Sequence, residues 1–271
     1  MARSSDALWR RLSSGRRLFL LSGPCAAESE ALCLRVARRL RDVCDTLGID
    51  LVFKASFDKA NRSSGTSYRG PGMEQGLAIL ARIRRDLGLP VMTDVHTEAQ
   101  CLEAGSVCDI LQIPAFLCRQ TDLVRAAVQS GRIVNVKKGQ FMAPADMAHV
   151  VAKARSSGPG HLLLTERGTT FGYHNLVADM RSIPIMRRSG VPVVFDATHS
   201  VQLPGANGDS SGGQREWAPV LAAAAVAAGC DGLFIETHPD PDNALSDGPN
   251  MIPLAQMPPL LARLKALWDV P

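Results

Sequence analysis

The chain has 271 residues, of which 46% are hydrophobic and 21% charged, and its mean hydropathy is +0.02. This composition is typical of a globular protein, and no apolar stretch approaches the ~20 residues that a membrane-spanning helix needs. The seven cysteines are scattered without CxxC pairs, which argues against a disulfide framework and favours a reducing compartment. The sequence therefore predicts a cytoplasmic protein that does not insert into a membrane.

The net charge of +4 is concentrated in the first 17 residues, which carry five arginines against one acid, Asp6. The rest of the chain is electrically balanced, so no basic face for nucleic acid is expected. We interpret residues 1–17 as a solvated N-terminal extension ahead of the first strand. An organelle transit peptide is the alternative, although Asp6 interrupts its pattern.

Apolar runs typical of buried strands alternate with helical patterns along the rest of the chain. The predicted strands are Leu18–Cys25, Asp50–Phe57, Val91–Val95, Asp109–Ala115, Ile133–Lys138, His161–Glu166, Pro192–Ala197 and Gly232–Thr237. The predicted helices are Glu30–Leu47, Gly72–Leu87, Thr97–Ala104, Thr121–Ser130, Pro144–Ser157, Leu176–Ser189, Glu216–Ala228 and Met257–Trp268.

Eight such alternations in about 250 residues match a closed (β/α)8 barrel, the TIM barrel of the α/β class. An open doubly wound sheet is disfavoured, because no Gly-rich turn follows the first strand. No linker divides the chain, so residues 18–271 are predicted to form a single barrel domain.

Polar side chains gather where the predicted strands end, which is the face that carries the chemistry in such barrels. Cations form one set, and their mutual repulsion implies that they bind more than one phosphate or carboxylate: Lys54, Lys59, Arg62, Lys137, Lys138 and Arg167. Lys138 is equally compatible with a surface charge, because it faces away from Lys137 across the pleat. Arg62 lies in a Ser-rich turn, which suits a phosphate.

A second set combines a thiol, an imidazole and two carboxylates just beyond the strand ends: Cys25, His199, Glu236 and Asp247. Because the first and eighth strands are neighbours in a closed barrel, the four side chains can surround one divalent ion. Zn²⁺ or Fe²⁺ suits these ligands best, and Mn²⁺ or Co²⁺ is possible. A buried, purely structural Cys25 is the alternative.

Two further features have simpler interpretations. His96 lies near the active face, but a surface or loop role is expected for it. The Gly- and Ser-rich segment Gly205–Gln214 is long enough for a mobile lid, and a disordered connection is equally compatible.

Seven motifs in this order resemble the 3-deoxy-D-manno-octulosonate 8-phosphate synthases, and the match runs from about Leu18 to the C-terminus. They begin with Gly-Pro-Cys25-Ala-Ala-Glu-Ser, Lys54-Ala-Ser-Phe-Asp-Lys59-Ala-Asn61-Arg62-Ser63-Ser and Ser67-Tyr-Arg-Gly-Pro-Gly72. They continue with Gln112-Ile-Pro114-Ala115-Phe116, Asn135-Val-Lys137-Lys138-Gly-Gln-Phe141, Thr165-Glu-Arg167-Gly168 and Asp196-Ala-Thr-His199-Ser-Val-Gln202.

The resemblance implies a (β/α)8 barrel, a homotetramer, and condensation of phosphoenolpyruvate with D-arabinose 5-phosphate for lipopolysaccharide synthesis. It implies that phosphoenolpyruvate is bound by Lys54, Lys59, Gln112, Pro114, Ala115, Lys137 and Arg167. It implies that arabinose 5-phosphate is bound by Asn61, Arg62, Ser63, Asp94 and Phe116, with Phe116 reaching a neighbouring protomer's site. The catalytic residues that it implies are Lys59, Asn61, Asp94, His199 and Asp247.

The first-strand position separates metal-dependent members of this family, which have Cys, from metal-independent members, which have Asn. Cys25 therefore resembles the metal-dependent form, with one divalent ion per subunit held by Cys25, His199, Glu236 and Asp247.

Two alternatives stay open. The 3-deoxy-D-arabino-heptulosonate 7-phosphate synthases share the barrel, the metal ligands and phosphoenolpyruvate, but use erythrose 4-phosphate. They carry Lys-Pro-Arg-Thr where this chain has Lys59-Ala-Asn61-Arg62-Ser63, so Asn61 favours the five-carbon sugar. A non-catalytic phosphosugar-binding barrel is the other alternative, and phosphate release on turnover would separate it from an enzyme.

Overall fold

Eight parallel strands form a closed ring in the computed structural model, which describes residues 2–62, 64–206 and 211–270. Each strand pairs with the next along the chain, and the last pairs with the first, as in the register Phe19↔Gly232 to Gly23↔Glu236. The strands are β1 Phe19–Gly23, β2 Asp50–Lys54, β3 Val91–Asp94, β4 Ile110–Ile113, β5 Ile133–Lys137, β6 Leu162–Glu166, β7 Val193–Asp196 and β8 Gly232–His238. The predicted (β/α)8 barrel is confirmed.

One helix precedes the barrel and the others follow its strands. They are α1 Ala2–Leu12, α2 Glu30–Leu47, α3 Met73–Leu87, α4 Glu98–Val107, α5 Thr121–Gln129, α6 Met147–Ser156, α7 Ser182–Arg187, α8 Ala218–Ala227 and α9 Met257–Trp268. Caps explain the sharp bounds of α2: the Ser29 hydroxyl accepts the Leu32 amide at 3.2 Å, and Gly48 takes the left-handed conformation with φ +66°.

The predicted helix Leu176–Ser189 is wrong over its first part. Leu176–Val177 instead pairs with Thr169–Thr170 in a short antiparallel hairpin. The Asp179 carboxylate accepts the Arg181 amide at 3.0 Å, and this local turn delays the start of α7 until Ser182.

The strands separate two apolar layers because their side chains alternate between the helices and the barrel interior. The interior is filled by Phe19, Leu21, Val52, Met92, Ile110, Ile133, Leu163, Val194 and Phe234. This packed interior closes the middle of the barrel, so a ligand can enter only from an end.

Helix α1 packs against that interior. Leu8 and Leu12 are 5% and 1% exposed and belong to the same apolar cluster, and Trp9 stacks on His161 with ring centroids 4.6 Å apart. The expectation of a solvated extension is therefore wrong for this helix. The division at residue 17 into an extension and a domain stays a prediction.

The structure bears only in part on two other expectations, the lid segment and the absence of a membrane-spanning helix. Gln202–Leu203 pairs with Gly212–Gly213 at the base of the Gly205–Gln214 segment, whose residues 207–210 lie outside the described ranges. Among the helices described here, none is long and apolar enough to cross a membrane.

Candidate active site

A cavity of about 670 Å³ opens at the carboxyl ends of the barrel strands. The predicted site residues that line it are Lys54, Lys59, Asn61, Arg62, Asp94, Gln112, Pro114, Ala115, Phe116, Lys137, Arg167, His199, Glu236 and Asp247. Cys25 is fully buried behind the cavity wall, and Ser63 lies outside the described residues. The parallel barrel thus brings together side chains that are far apart in the sequence.

Three predicted metal ligands form a compact cluster. One ligand atom each from Cys25, Glu236 and Asp247 lies within 4.8 Å of the others. The pairing of Gly23 with Glu236 sets β1 against β8, which carries Cys25 to the Glu236 carboxylate. Asp247 lies in the loop after β8 with a left-handed backbone, φ +50°. This conformation is strained for a residue other than glycine and is found at functional sites more often than elsewhere.

His199 borders this cluster. Its Nε2 lies 3.4 Å from Asp247 Oδ2 and 3.7 Å from Glu236 Oε2, while its Nδ1 lies 2.8 Å from Asp196 Oδ2. The Asp196 contact fixes the ring and leaves Nε2 for a ligand bond, as carboxylates do for metal-binding histidines. Across the described ranges, the buried Glu236 Oε2 finds no hydrogen-bond partner. The donor set and this unpartnered oxygen fit a divalent cation.

The thiol and the Glu236 carboxylate of the cluster differ in protonation. Burial, with a smaller effect of the Glu236 charge, raises the pKa of the Cys25 thiol to about 12. Burial alone would raise the pKa of Glu236, but Lys54 and Lys59 hold it at about 2. Cys25 is therefore a thiol in the metal-free protein and must lose its proton to bind a metal.

Two lysines link the cluster to the cavity. Lys54 Nζ is 2.8 Å from Glu236 Oε1 and 2.9 Å from Ser56 Oγ. Lys59 Nζ is 3.9 Å from the same Glu236 oxygen. Burial alone would lower the pKa of Lys59, but the surrounding acidic groups raise it, so this side chain stays an ammonium.

A second cationic group, Lys137 and Arg167, lies at the carboxyl ends of β5 and β6. Lys137 Nζ is 2.6 Å from Asp196 Oδ2 and 3.9 Å from the centre of the Phe234 ring. Arg167 donates to Gln202 Oε1 at 3.0 Å, whereas its buried Nη1 has no partner among the described residues. An unpartnered guanidinium nitrogen at a cavity wall is suited to an anion.

Arg62 and Asp94 line other parts of the cavity. Arg62 Nη1 is 3.8 Å from Asp247 Oδ1, and its other terminal nitrogen contacts the Ser246 hydroxyl. Asp94 accepts from Ser56, and Lys54 and Lys59 outweigh burial to hold the pKa of Asp94 well below its usual range. Phe116 is 56% exposed at the cavity rim.

Sequence reasoning did not assign several residues that line the cavity to the site, among them Ser246, Gln140 and His96, and it misjudged Lys138. Ser246 and Gln140 line the cavity, as does His96, whose Nε2 is 3.3 Å from Asp94 Oδ2 rather than in a surface role. Proximity to Asp247 was the available signal for Ser246. Lys138 is fully buried outside the cavity wall, so it is neither a surface charge nor a direct ligand.

The fold and the site define a (β/α)8 barrel whose cavity combines cationic side chains with a Cys/Glu/Asp cluster that could hold a metal ion. Residues 11–268 match the model of the DAHP synthetase I family, and the chain belongs to that family.

Relatives in this family carry a more specific name. The chain is similar to proteins named 2-dehydro-3-deoxyphosphooctonate aldolase from three bacteria. It is 59% identical to that of Trichlorobacter lovleyi over 257 residues, covering 95% of this chain and 94% of the relative. It is 60% identical to that of Acidithiobacillus ferrooxidans over 252 residues, covering 93% and 90%. It is 62% identical to that of Paracidovorax citrulli over 261 residues, covering 94% and 92%. This name is a synonym of octulosonate phosphate synthase, so the resemblance found in the sequence motifs is confirmed.

Proposed function

We propose that the protein is a 3-deoxy-D-manno-octulosonate 8-phosphate synthase. It condenses phosphoenolpyruvate with D-arabinose 5-phosphate and water, and releases inorganic phosphate. The observation that carries the proposal is one cavity holding two cationic groups beside a Cys25, Glu236 and Asp247 cluster. The relatives named above support the choice of substrates.

Phosphoenolpyruvate, with a phosphate and a carboxylate, matches the two cationic groups of the cavity. Lys54, Lys59, Lys137 and Arg167 are the proposed anion ligands, with Gln112, Pro114 and Ala115 shaping the pocket. The unpartnered Arg167 Nη1 supports this assignment, because a bound anion would satisfy it.

Arabinose 5-phosphate is proposed to bind along Asn61, Arg62 and Asp94, with Phe116 at the rim and Ser63 by resemblance. The Arg62 guanidinium would take the sugar phosphate. The Asp94 carboxylate, kept ionised by Lys54 and Lys59, would accept hydrogen bonds from sugar hydroxyls.

In the proposed reaction, C3 of phosphoenolpyruvate attacks the aldehyde carbon while water adds to C2. The tetrahedral intermediate then expels phosphate by C–O cleavage. Lys59, Lys137 and Arg167 would stabilise the charge that develops on the phosphate and carboxylate and hold the reactants in near-attack geometry. Asn61 and Asp94 would orient the sugar. His199 and Asp247 are the other two proposed catalytic residues.

One divalent ion per subunit is proposed to be held by Cys25, His199, Glu236 and Asp247, with Zn²⁺ or Fe²⁺ preferred and Mn²⁺ or Co²⁺ acceptable. When bound, such an ion supplies Lewis-acid chemistry, which polarises a carbonyl or lowers the pKa of a water. A homotetramer is proposed from the family resemblance, and a cytoplasmic location from the scattered cysteines, which favour a reducing compartment.

The deciding experiment measures phosphate release from phosphoenolpyruvate with arabinose 5-phosphate or erythrose 4-phosphate, before and after chelation and metal add-back. We expect turnover with the five-carbon sugar that chelation abolishes and metal restores. Preference for erythrose 4-phosphate would move the protein to the heptulosonate enzymes. Activity that survives complete metal removal would reject the metal as a catalytic requirement, and absence of phosphate release with either sugar would favour a binding protein.

A further inference from the structure

Lys138 is a fully buried lysine placed directly behind the cavity wall. It follows Lys137 at the end of β5, and because side chains alternate across a strand, it points away from the cavity. Its ammonium group lies 3.2 Å from the Gly139 carbonyl, 3.3 Å from that of Met142, 3.1 Å from that of Gly168 and 3.1 Å from Thr169 Oγ1. One buried cation therefore joins the loop after β5 to the loop after β6.

Glu166 is the charged partner of this lysine. Its Oε1 lies 3.6 Å from Lys138 Nζ and accepts the Gly168 amide at 2.6 Å. The carboxylate is 1% exposed, so the pair is shielded from water. A further bond from the Thr170 amide to the Gln140 carbonyl, 3.0 Å long, ties the same two loops.

Both loops carry a cavity-lining side chain with an unsatisfied atom. Arg167 lies between Glu166, which pairs with Lys138, and Gly168, whose carbonyl accepts from Lys138. Its Nη1 is buried without a partner among the residues described, and so is Oε1 of Gln140 in the other loop. Lys138 touches neither the cavity nor these two atoms, and its charge acts on that of Arg167 only at a distance, so the direct link from Lys138 to the two side chains is the backbone of the loops.

We propose that Lys138 and Glu166 are positioning residues that hold the loops after β5 and β6 so that Arg167 meets the anionic group of phosphoenolpyruvate. The inference rests on the proposed function and deepens it. An ammonium group is suited to this place because it donates to several carbonyls at once, whereas a neutral side chain of similar length would take this donor from the carbonyls and leave Glu166 without its charged partner.

The test compares wild type with Lys138→Met, which keeps the length of the side chain and removes its charge. Binding of phosphoenolpyruvate is measured by calorimetry without the sugar, and KM is measured for each substrate. We expect binding of phosphoenolpyruvate to weaken and its KM to rise by about tenfold or more, because small displacements of a positioning group are costly. The KM for arabinose 5-phosphate should change far less, which a general loss of folding would not produce.

Lys153→Met is the matched control. Lys153 also donates to a backbone carbonyl, that of Arg119 at 2.8 Å, but it lies on α6 and does not line the cavity. Its two KM values should equal those of wild type. If Lys138→Met does not fold, Glu166→Gln provides the second test, because its amide oxygen can still accept the Gly168 amide while the charge is lost. We expect the same selective rise in the KM for phosphoenolpyruvate.

Unchanged phosphoenolpyruvate binding in Lys138→Met, or in Glu166→Gln where only that variant folds, would overturn the inference and leave the proposed function intact. An equal rise in both KM values would also overturn it, because the pair would then be only structural. Failure of the wild type to bind phosphoenolpyruvate would instead overturn the proposed function, and the inference with it.

Discussion

His96 shows how one side chain in the cavity can make stability depend on pH. Burial alone would lower the pKa of His96, but its contact with the Asp94 carboxylate raises it above 6.5. A raised pKa in the folded state means that the contribution of His96 is fully present below pH 6.5 and is lost as the pH rises through the folded pKa.

We therefore expect His96→Gln to lower the free energy of unfolding more at pH 6 than at pH 8.5. The free energies of unfolding of wild type and variant are measured by denaturant titration in the presence of chelator. Because other groups titrate alike in the two proteins, their effects cancel in the difference between these free energies. A difference that grows with rising pH would contradict the assigned contact.

Helix α1 is the element for which sequence and structure differ most. Its sequence is short and rich in arginine and serine, which suggests that the helix is exposed. Leu8 and Leu12 nevertheless pack in the apolar cluster of the barrel interior. Leu12 belongs to the same apolar cluster as Leu163 and Phe234, which are far away along the chain, so no local pattern could predict this packing.

Truncation of Leu12 tests the role of this helix. We expect Leu12→Ala to lower the free energy of unfolding by about 2–5 kcal/mol, as for other large-to-small changes in a core. Leu102→Ala is the control, because Leu102 is 79% exposed, and its effect should stay within about 0.5 kcal/mol. Equal effects of the two substitutions in denaturant titrations would mean that α1 does not contribute to the core.

The cluster of Cys25, Glu236 and Asp247 draws on distant parts of the molecule, since Cys25 follows the first strand and Glu236 lies on the last. A ligand that binds only this folded arrangement must stabilise the entire barrel. We expect a free metal concentration of 100 times Kd to raise the free energy of unfolding by about 2.7 kcal/mol.

Cys25→Ala is the control for this prediction, because it removes one ligand without adding a charge. For wild type, the free energy of unfolding from denaturant titrations should be higher with Zn²⁺ than with chelator. For the variant, the two values should agree more closely. A stabilisation of equal size in both proteins would place the bound metal elsewhere.

Much of the site was predictable from the sequence, because a parallel barrel places the carboxyl ends of all its strands on one face. The apolar runs predicted all eight strands, and most of the polar residues predicted at the strand ends line the cavity. The motifs also indicated the family, to which the chain belongs.

The sequence by itself determined the barrel, since continuous apolar runs in regular alternation with helices have few other ways to be buried. Only the tertiary structure decided where single side chains point. In the folded protein, α1 packs against the barrel interior and Lys138 is buried behind the cavity. Ser246 contacts both Cys25 and Arg62. Such contacts depend on loop conformation and on non-local packing, which the spacing of residues along a chain does not encode.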